Sequence, residues 1–427
     1  MDSSLPGAPY FHHQQGQLWL ENVNLEGLAK KYGTPLYVYS KRAINDAIAL
    51  YKAAFKARDH LICFALKANS NLAILQLMVQ AGCGFDIVSG GELSRVLAAG
   101  SPANRVIFSG VGKTKAELRQ ALEAGILCFN VESTAELEVL SQIAQEMDVQ
   151  APISFRVNPD VDAKTHPYIS TGLKSNKFGI AHQDALAIYT HAAQLPGIKI
   201  VGIDCHIGSQ ITEVSPYMDA LDRLLDLTKQ LRENGIAISH IDLGGGLGIR
   251  YQDETPPSPE DLYQQVIERI QQRGLGECKL MVEPGRSLVG NAGALITEVL
   301  YLKKTEVKNF CIVDTAMNDL MRPALYESYH HITPLKLGTE KNDACDIYDI
   351  VGPICESSDW LGHDRALCIQ QGDFLAILSA GAYGMTMSSN YNSRARAAEV
   401  LVDGDQIYLI KNREKISDLF AGEHLLP

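Results

Sequence analysis

The sequence predicts an α/β protein with a (β/α)8 barrel of the TIM type and a second, all-β domain. Two observations support this prediction. Short apolar runs alternate with helical segments up to about Arg286, and beyond that residue strand-like runs follow one another without helices between them. A chain of 427 residues also exceeds the usual size of one domain, so two domains are expected.

Eight apolar runs are predicted to be the barrel strands, because such runs, bounded by polar residues, are typical of strands buried on both faces. They lie at residues 61–66, 85–88, 106–108, 127–131, 153–157, 200–206, 238–243 and 279–283. Eight strands, each followed by a helix, match the rhythm of a TIM barrel. A doubly wound open sheet shares this alternation and stays the alternative.

The helices between these strands have recognisable ends. Two of them begin with the spacing of a capping box, at Thr114 with Glu117 and at Ser133 with Glu136. Another begins at Ser258, which is followed by proline at the first helical position. Glycines that can end helices with a left-handed cap are Gly82, Gly100, Gly125, Gly235 and Gly274.

Six further runs are predicted to be strands of the second domain, at residues 295–302, 310–313, 347–351, 374–378, 400–402 and 406–410. Asp403-Gly404 is a strong hairpin signal, because a tight turn needs residues that tolerate positive φ. Strand candidates at 18–20 and 36–39 are expected to complete this domain, since chain ends often lie close together. The predicted boundaries are 41–286 for the barrel and 1–40 with 287–427 for the β domain.

Charge and hydropathy exclude some classes of partner. A net charge of -12 argues against nucleic acid or an anionic membrane as the main partner. No apolar run is long enough to cross a bilayer, and the N-terminus lacks the features of a secretory signal or a transit peptide. The connection at about 158–178 is long and rich in glycine and polar residues, so we expect a lid or a dimer contact there.

The cysteines indicate a reducing compartment, and we expect a cytoplasmic location. There are nine, an odd number with no CxxC pair. Five of them lie in apolar runs, as small core residues do: Cys63, Cys128, Cys205, Cys311 and Cys368. The pairs His12-His13 and His330-His331 have no cysteine or carboxylate at the spacing of metal ligands, so no metal site is predicted.

Polar residues at the carboxyl ends of the strands are the candidate catalytic groups, because the active site of a TIM barrel lies at that face. Lys67 follows the first strand. It is either a solvated strand terminus or a Schiff-base lysine, whose amine must be partly desolvated to be nucleophilic near neutral pH. His206, Glu283 and Arg286 end later strands, where the first could be a core histidine and the second an ion-pair member.

The run Gly244-Gly245-Gly246-Leu247-Gly248, called the glycine clasp below, follows the seventh strand. It comes late in the chain without a clear helix after it, which favours a phosphate site over a dinucleotide fingerprint. Together with Lys67, His206 and Glu283 it matches the needs of pyridoxal 5'-phosphate. That cofactor requires an amine for its aldehyde, an acid for its pyridine nitrogen, amides for its phosphate and a flat side chain against its ring.

Several motifs resemble those of the fold-type III pyridoxal-phosphate decarboxylases, which have an alanine racemase-like fold. They are Phe64-Ala-Leu-Lys-Ala-Asn69, Phe85-Asp-Ile-Val-Ser-Gly-Gly-Glu-Leu93, Cys205-His-Ile-Gly-Ser209, Asp242-Leu-Gly-Gly-Gly246 and Glu283-Pro-Gly-Arg286. Met317-Asn-Asp-Leu-Met-Arg-Pro323 and Gly352-Pro-Ile-Cys-Glu-Ser-Ser-Asp359 narrow the resemblance to the diaminopimelate decarboxylase family. It extends from about Thr34 to Tyr391.

The resemblance implies a role for each residue of the cofactor site. Lys67 would bind pyridoxal 5'-phosphate covalently, His206 would lie against its ring, and Glu283 would face the pyridine nitrogen. Asp86 would be a further cofactor contact. The phosphate would be held by Ser209, the amides of Gly245 and Gly246, those from Glu283 through Gly285 to Arg286, and Tyr383.

The resemblance also implies the reaction, decarboxylation of meso-2,6-diaminopimelate to L-lysine and CO2, the last step of lysine biosynthesis by the diaminopimelate pathway. The distal carboxylate would be held by Arg286, Arg322 and Tyr326, and the distal ammonium by Glu356. Cys355 would donate a proton to the product. In the homodimer that the resemblance implies, Cys355, Glu356 and Tyr383 would come from the neighbouring subunit.

Two residues favour this reaction over its relatives. In the site that the resemblance implies, Glu283 would keep the ring nitrogen protonated and the electron sink deep, whereas an arginine there would suit racemisation better. Arg322 would be left unpaired by a diamino monoacid such as ornithine or lysine, which has no second carboxylate. The alternatives are a decarboxylase acting on ornithine, lysine or a polyamine precursor, an inactive relative that only binds partners, and an alanine-racemase-like enzyme.

Overall fold

The computed structural model describes residues 5–56, 58–162, 177–337 and 345–427. The chain divides into two compact units, which are described separately. The β unit comprises Met1–Ala47, Ile249–Glu254 and Arg286–Pro427, and the barrel unit comprises Ile48–Gly248 and Thr255–Gly285. The domain boundaries given above stay a prediction.

The described ranges contain 21 β-strands. They are β1 (Phe11–Gln14), β2 (Gln17–Leu20), β3 (Val23–Asn24), β4 (Leu36–Ser40), β5 (His60–Ala65), β6 (Gly84–Ile87), β7 (Val106–Phe108), β8 (Cys128–Val131), β9 (Ala151–Asn158), β10 (Ile180–Ala181), β11 (Ile198–Asp204), β12 (His240–Asp242), β13 (Lys279–Val282), β14 (Gly293–Lys304), β15 (Asn309–Val313), β16 (Ile332–Pro334), β17 (Asp346–Val351), β18 (Trp360–Leu367), β19 (Phe374–Ile377), β20 (Ala398–Asp403) and β21 (Gln406–Lys411).

The α-helices are α1 (Leu25–Tyr32), α2 (Lys41–Phe55), α3 (Leu72–Gln80), α4 (Gly90–Ala98), α5 (Lys115–Ala124), α6 (Thr134–Glu146), α7 (Ala185–Ala192), α8 (Ser215–Glu233), α9 (Pro259–Gln272), α10 (Arg286–Val289) and α11 (Arg322–Tyr326). None of the helices in the described ranges is both long enough and apolar enough to span a membrane.

A closed parallel barrel forms the centre of the barrel unit. Its strands follow the ring order β5-β6-β7-β8-β9-β11-β12-β13, and β13 pairs with β5 to close it. The predicted (β/α)8 barrel is confirmed, and an open doubly wound sheet is excluded because that fold leaves two edge strands. Leu61, Cys63, Ile107, Cys128 and Met281 form a buried apolar cluster of this unit, and burial raises the pKa of both thiols.

The helix ends agree with the predicted caps, with one difference. Thr114 and Glu117 form the full capping box. Ser133 caps α6, but the Glu136 carboxylate accepts from Lys113 Nζ at 2.7 Å and from the Glu132 amide at 3.1 Å instead of closing the box. The Lys113 side chain is fully buried, and a buried charge is costly without a counter-ion. Glu136 therefore pairs with Lys113 instead of forming a second cap.

His240, a buried histidine on β12, gives a pH-dependent prediction. A Cβ on Gly202 would lie only 2.0 Å from its Nε2, so the imidazole packs directly on strand β11. Burial, with a smaller contribution from Lys279, lowers the pKa of His240 from 6.5 to about 4. Between these two pH values the unfolded chain binds a proton at this histidine and the native chain does not. The titration therefore leaves the free energy of unfolding unchanged above pH ~6.5 and lowers it as the pH falls below that value.

We expect this histidine to remove about 2 kcal/mol of the free energy of unfolding between pH ~7 and pH ~4.5. Urea unfolding of the wild type and of His240→Leu at both pH values measures this share. The variant should lose correspondingly less stability on acidification. An identical pH dependence in the two proteins would contradict the assignment.

The β unit contains a mixed sheet and a small antiparallel sheet. The larger sheet follows the order β18-β17-β15-β14-β4-β20-β21, with β19 pairing with both β14 and β16. As predicted, the N-terminal strand β4 belongs to this sheet, between β14 and β20. The predicted hairpin is present, but its two turn residues are Gly404, with a φ of 63°, and Asp405, because Asp403 still belongs to β20 and pairs with Gln406.

Several expectations for this unit need correction. The strand predicted at 18–20 belongs to a separate three-stranded sheet, β1-β2-β3, although its apolar residues share one core with the larger sheet. Strands β16 and β18 were not predicted. Strand β16 has only three residues, and β18 carries His363, Asp364 and Arg365, so neither presents an apolar run long enough to be recognised. The short helix α11 also interrupts the run of strands.

The cysteine expectation is wrong at Cys368, which forms a disulfide with Cys345. Antiparallel pairing of Asp346 with Leu367 places the two cysteines opposite each other, although they are 23 residues apart in the chain. Most of the segment expected to be a lid or dimer contact, residues 163–176, lies outside the described residues.

Candidate active site

Lys67 lies in a short turn directly after β5, at the carboxyl end of the barrel. Its Nζ is 3.1 Å from Asp86 Oδ2, and its side chain is 38% exposed while that of Asp86 is fully buried. A Cβ on Gly285 would lie 2.9 Å from the Cβ of Ala68, so only glycine lets the end of β13 approach this turn so closely. The lysine amine therefore sits at the rim of the barrel against a buried carboxylate.

Glu283, directly after β13, is buried in a group of carboxylates. Oxygen atoms of Glu283, Asp204 and Asp242 all lie within 4.8 Å of one another. Burial raises the pKa of Glu283 well above its usual range, the charges of Asp86 and Asp204 raise it further, and Lys67 partly opposes them. Burial and neighbouring carboxylates likewise raise the pKa of Asp204 and Asp242.

Hydrogen bonds orient only part of this carboxylate group. Asp242 Oδ1 accepts from the Gly244 amide at 2.9 Å, and Glu283 Oε1 lies 3.4 Å from Asn130 Nδ2. Within the described ranges, Asp204 Oδ1 and Asp242 Oδ2 are buried without a hydrogen-bond partner. Carboxylates this close and this buried cannot all be ionised, so the group retains protons at neutral pH.

His206 follows β11 and contacts the glycine clasp. Its Nδ1 accepts from the Gly245 amide at 3.2 Å, which fixes the ring relative to the loop after β12. Desolvation of the imidazole, and then the positive charges of Arg156 and Lys67, lower the pKa of His206 well below 6.5. The imidazole is therefore neutral at neutral pH and presents an uncharged flat face.

The glycine clasp brings three loops together backbone to backbone. A Cβ on Gly245 would lie 2.1 Å from the Glu283 carbonyl oxygen, and one on Gly246 would lie 2.3 Å from the Gly208 carbonyl oxygen. Gly246 also has a φ of 103°, where other residues are strained. Glycines are thus required here because the backbones of these loops approach one another so closely.

Two of the four positions from Glu283 to Arg286 have no amide hydrogen available for the predicted phosphate contacts. The Glu283 amide donates to the Gly244 carbonyl at 2.8 Å, and Pro284 has no amide hydrogen. The predicted phosphate contacts from the Glu283–Arg286 stretch are thereby narrowed to the amides of Gly285 and Arg286. Ser209, which is also predicted to contact the phosphate, lies on the loop between His206 and Ile211. The Ile211 amide donates to the Gly246 carbonyl oxygen at 2.9 Å, which joins this loop to the glycine clasp.

Gly245→Ala tests the clasp. We expect it to lower the free energy of unfolding by about 1–3 kcal/mol, because its methyl group has to displace the Glu283 carbonyl. It should also weaken cofactor binding. The matched control is Gly112→Ala, where a Cβ meets nothing within 4 Å, so its effect should stay within about 0.5 kcal/mol. Urea unfolding and titration with pyridoxal 5'-phosphate measure both, and equal behaviour of the two variants would refute the close approach.

A cluster of buried cations and aromatic rings lies in the β unit. Arg286 and Arg322 are both buried, and their guanidinium carbons lie 5.8 and 4.7 Å from the ring centre of Tyr251. Arg286 also lies 4.9 Å from the ring centre of Tyr383 and donates to the Tyr251 hydroxyl. Arg322 contacts His330 through Nη1. Burial, together with the charge of Arg286, lowers the pKa of Arg322.

The remaining predicted residues of the β unit are less buried. Tyr326 ends α11 and is half-buried. Cys355 is the exposed member of the free cysteines found in the described ranges, and Glu356 beside it is exposed and accepts from the Tyr391 hydroxyl at 2.5 Å. The polar surroundings that set Cys355 apart in the sequence therefore correspond to a surface position.

Reasoning from sequence missed several members of both clusters. Asp204 and Asp242 are the last residues of β11 and β12, so the strand-end rule that selected Lys67 also applies to them. Tyr251 and His330 carry no such signal. Tyr251 lies in an irregular loop, and His330 was considered only as half of a histidine pair.

Comparison with known proteins decides the family. Residues 41–290 match a family model described as pyridoxal-dependent decarboxylase, pyridoxal binding domain. The chain is 56% identical to a diaminopimelate decarboxylase of Pseudomonas fluorescens over 418 residues, which are 98% of this chain and 99% of that protein. The chain belongs to the diaminopimelate decarboxylase family. A second member, from Haemophilus influenzae, is 54% identical and is covered over 99% of its length.

Solved structures of the diaminopimelate decarboxylase family have the same fold. The crystal structure of the Helicobacter pylori enzyme in complex with L-lysine superposes with a TM-score of 0.89 at 43% identity, covering 94% of this chain and 99% of that one. The predicted alanine racemase-like architecture, a barrel with an all-β domain, is thus confirmed for this chain.

Proposed function

We propose that this chain catalyses the pyridoxal-phosphate-dependent decarboxylation of meso-2,6-diaminopimelate to L-lysine and CO2. The observation that carries the proposal is its 56% identity with a diaminopimelate decarboxylase over 98% of this chain. The complex of the Helicobacter pylori relative with L-lysine supports the same product. The implied place of the reaction is the last step of lysine biosynthesis.

Observations in the barrel unit fit the cofactor. The Lys67 amine is partly exposed beside Asp86, whose Oδ1 is buried without a hydrogen-bond partner among the described residues. The glycine clasp has no room for a Cβ at Gly245 or Gly246. An amine, a buried acid and a run of backbone amides without side chains are the groups that this cofactor needs.

Lys67, His206 and Glu283 are the central residues of the proposed cofactor site. Lys67 would hold the cofactor covalently, the neutral face of His206 would lie against its ring, and Glu283 would face its nitrogen, with Asp86 as a further contact. When bound, the cofactor supplies an electron sink for the electron pair that the departing carboxylate leaves behind. The proposed phosphate contacts are Ser209, Gly246, Gly285, Arg286 and Tyr383, whereas the predicted contact from the Gly245 amide is not proposed again because that amide donates to His206 Nδ1.

Glu283 has to carry its negative charge for this assignment to work. Burial and the nearby carboxylates favour its protonated form, and Lys67 opposes them. A protonated ring nitrogen against Glu283 would favour the ionised carboxylate, because opposite charges in contact stabilise each other. Asp204 and Asp242 would then hold the protons of the group, so that a single negative charge faces the ring.

The proposed distal carboxylate site rests on the buried arginines. No ion pair is found for Arg322 with an acidic side chain of the described ranges, and its partners there are a neutral histidine and an aromatic ring. A buried guanidinium without a counter-ion is costly, and a carboxylate matches its fork of donors. We propose that Arg322, with Arg286 and Tyr326, binds the second carboxylate of diaminopimelate.

Cys355 and Glu356 are proposed to act in a homodimer, as proton donor and ammonium ligand for the partner subunit. Their exposure in the single chain fits residues that face another molecule. Tyr383, which the resemblance also assigned to the neighbouring subunit, lies 4.9 Å from Arg286 of its own chain, so we propose that it acts there.

The expected cytoplasmic location also stays a proposal. The cysteine content predicts a reducing compartment, and the Cys345–Cys368 disulfide counts against that prediction because disulfides are rare in such compartments.

A substrate panel tests the proposal. Purified protein with pyridoxal 5'-phosphate is incubated separately with meso-diaminopimelate, L-lysine and L-ornithine, and CO2 release and the amino-acid product are measured. We expect L-lysine from diaminopimelate and little turnover of the monoacids. Equal turnover of all three would favour the ornithine or lysine decarboxylase alternative, and no spectral change on adding cofactor would favour an inactive binding protein.

A further inference from the structure

His330 is a fully buried histidine whose two ring nitrogens both have partners. Its Nε2 lies 2.7 Å from Arg322 Nη1, and its Nδ1 lies 2.9 Å from the Leu378 carbonyl oxygen. The histidine therefore links the Arg322 guanidinium to the backbone directly after strand β19. The backbone carbonyl oxygen of His330 accepts a hydrogen bond from Arg365 Nη2 at 3.2 Å, so the backbone of the histidine is held as well as its ring.

These partners determine the tautomer of the imidazole. A carbonyl oxygen only accepts hydrogen bonds, so Nδ1 carries the proton and donates to Leu378. A guanidinium only donates, so Nε2 has to be the acceptor for Arg322. The ring is consequently neutral. Burial, and then the charges of Arg322, Arg286 and Arg365, lower the pKa of His330 well below 6.5, which agrees with this tautomer.

Tyr251 restrains the same guanidinium from a second direction. Its ring centre lies 4.7 Å from the Arg322 guanidinium carbon and 5.2 Å from the His330 ring centre, and the two rings are nearly perpendicular at 81°. The guanidinium is thus held in its plane by an acceptor on one edge and covered on one face. Its remaining donors are the groups that can meet a carboxylate.

We propose that His330 is a positioning residue that selects substrates with a second carboxylate by holding the Arg322 guanidinium through an uncharged acceptor. This inference rests on the proposed function of Arg322. An aspartate or glutamate in place of His330 would orient the arginine equally well, but it would also neutralise it. A neutral histidine fixes the geometry and leaves the full positive charge for the ligand.

Two variants separate these effects in the holoenzyme. His330→Asn keeps a donor toward the Leu378 carbonyl and removes the acceptor for Arg322. His330→Gln places an amide oxygen near the former Nε2 and keeps the acceptor. We expect His330→Asn to raise KM for meso-diaminopimelate by about 10-fold or more, with kcat within about twofold of wild type. His330→Gln should lie closer to wild type, and the absorption spectrum of bound cofactor should be unchanged in both.

A double variant distinguishes failure of the inference from failure of the proposed function. With Arg322→Ala already present, His330→Asn should raise KM no further, because the arginine that it positions is gone. If Arg322→Ala alone leaves KM unchanged, the proposed carboxylate site is wrong. If Arg322→Ala raises KM and His330→Asn does not, only the role of His330 is wrong. Equal losses of kcat, cofactor or folding in both histidine variants would make its role structural and overturn the inference.

Discussion

Lys67→Ala is expected to lower kcat with meso-diaminopimelate by roughly a thousandfold or more, because the proposed covalent link to the cofactor is lost. The lysine is placed for this role by the turn after β5 and by Asp86, 3.1 Å from its Nζ. The absorption band of the bound cofactor should change at the same time. Steady-state CO2 release and the ultraviolet-visible spectrum of purified protein measure both effects.

Lys279→Ala is the matched control for Lys67→Ala. Lys279 is also at a strand end of the barrel unit, is 39% exposed against 38% for Lys67, and also pairs with an aspartate, Asp59, at 3.5 Å. It begins β13, so it lies at the amino end of its strand, away from the face that carries active sites. Its kcat should stay within about twofold of wild type. A Lys67→Ala protein with more than about a tenth of wild-type kcat would contradict the assignment.

Arg322→Ala is expected to lower kcat/KM for meso-diaminopimelate by about 100-fold or more, since a buried bidentate contact to a carboxylate is lost. Arg322→Lys should lose most of that factor as well, because an ammonium cannot reproduce the planar fork. Cofactor affinity should change far less, as none of the proposed cofactor contacts involves Arg322. Kinetics with diaminopimelate and titration with pyridoxal 5'-phosphate measure the two quantities separately.

Arg119→Ala is a suitable control for Arg322→Ala. Arg119 is a partly exposed arginine on α5 that pairs with Glu146, and such surface ion pairs contribute little to stability. It should leave both kcat/KM and cofactor affinity unchanged. The carboxylate assignment would fail if Arg322→Ala lost cofactor affinity and kcat/KM in equal proportion. It would also fail if the variant kept wild-type preference for diaminopimelate over lysine.

The barrel could be predicted because its signal is local. Strands buried on both faces require continuous apolar runs, and the helices between them end at Gly82, Gly100, Gly125, Gly235 and Gly274, all with positive φ. Strand β18 could not be predicted in this way, since its exposed charged residues hide the pattern. The disulfide between Cys345 and Cys368 depends on the pairing of that strand and was missed with it.

The sequence by itself determined the two kinds of domain and the strand-end candidates Lys67, His206 and Glu283, because burial pattern and chain direction place them at one end of the barrel. Only the tertiary structure decided which groups surround them. Asp204 and Asp242 become partners of Glu283 through the parallel pairing of β11, β12 and β13, and His330 becomes a partner of Arg322 through the path of the chain beside β19. Charge state and hydrogen-bond direction depend on such neighbours, and only folding brings them into contact.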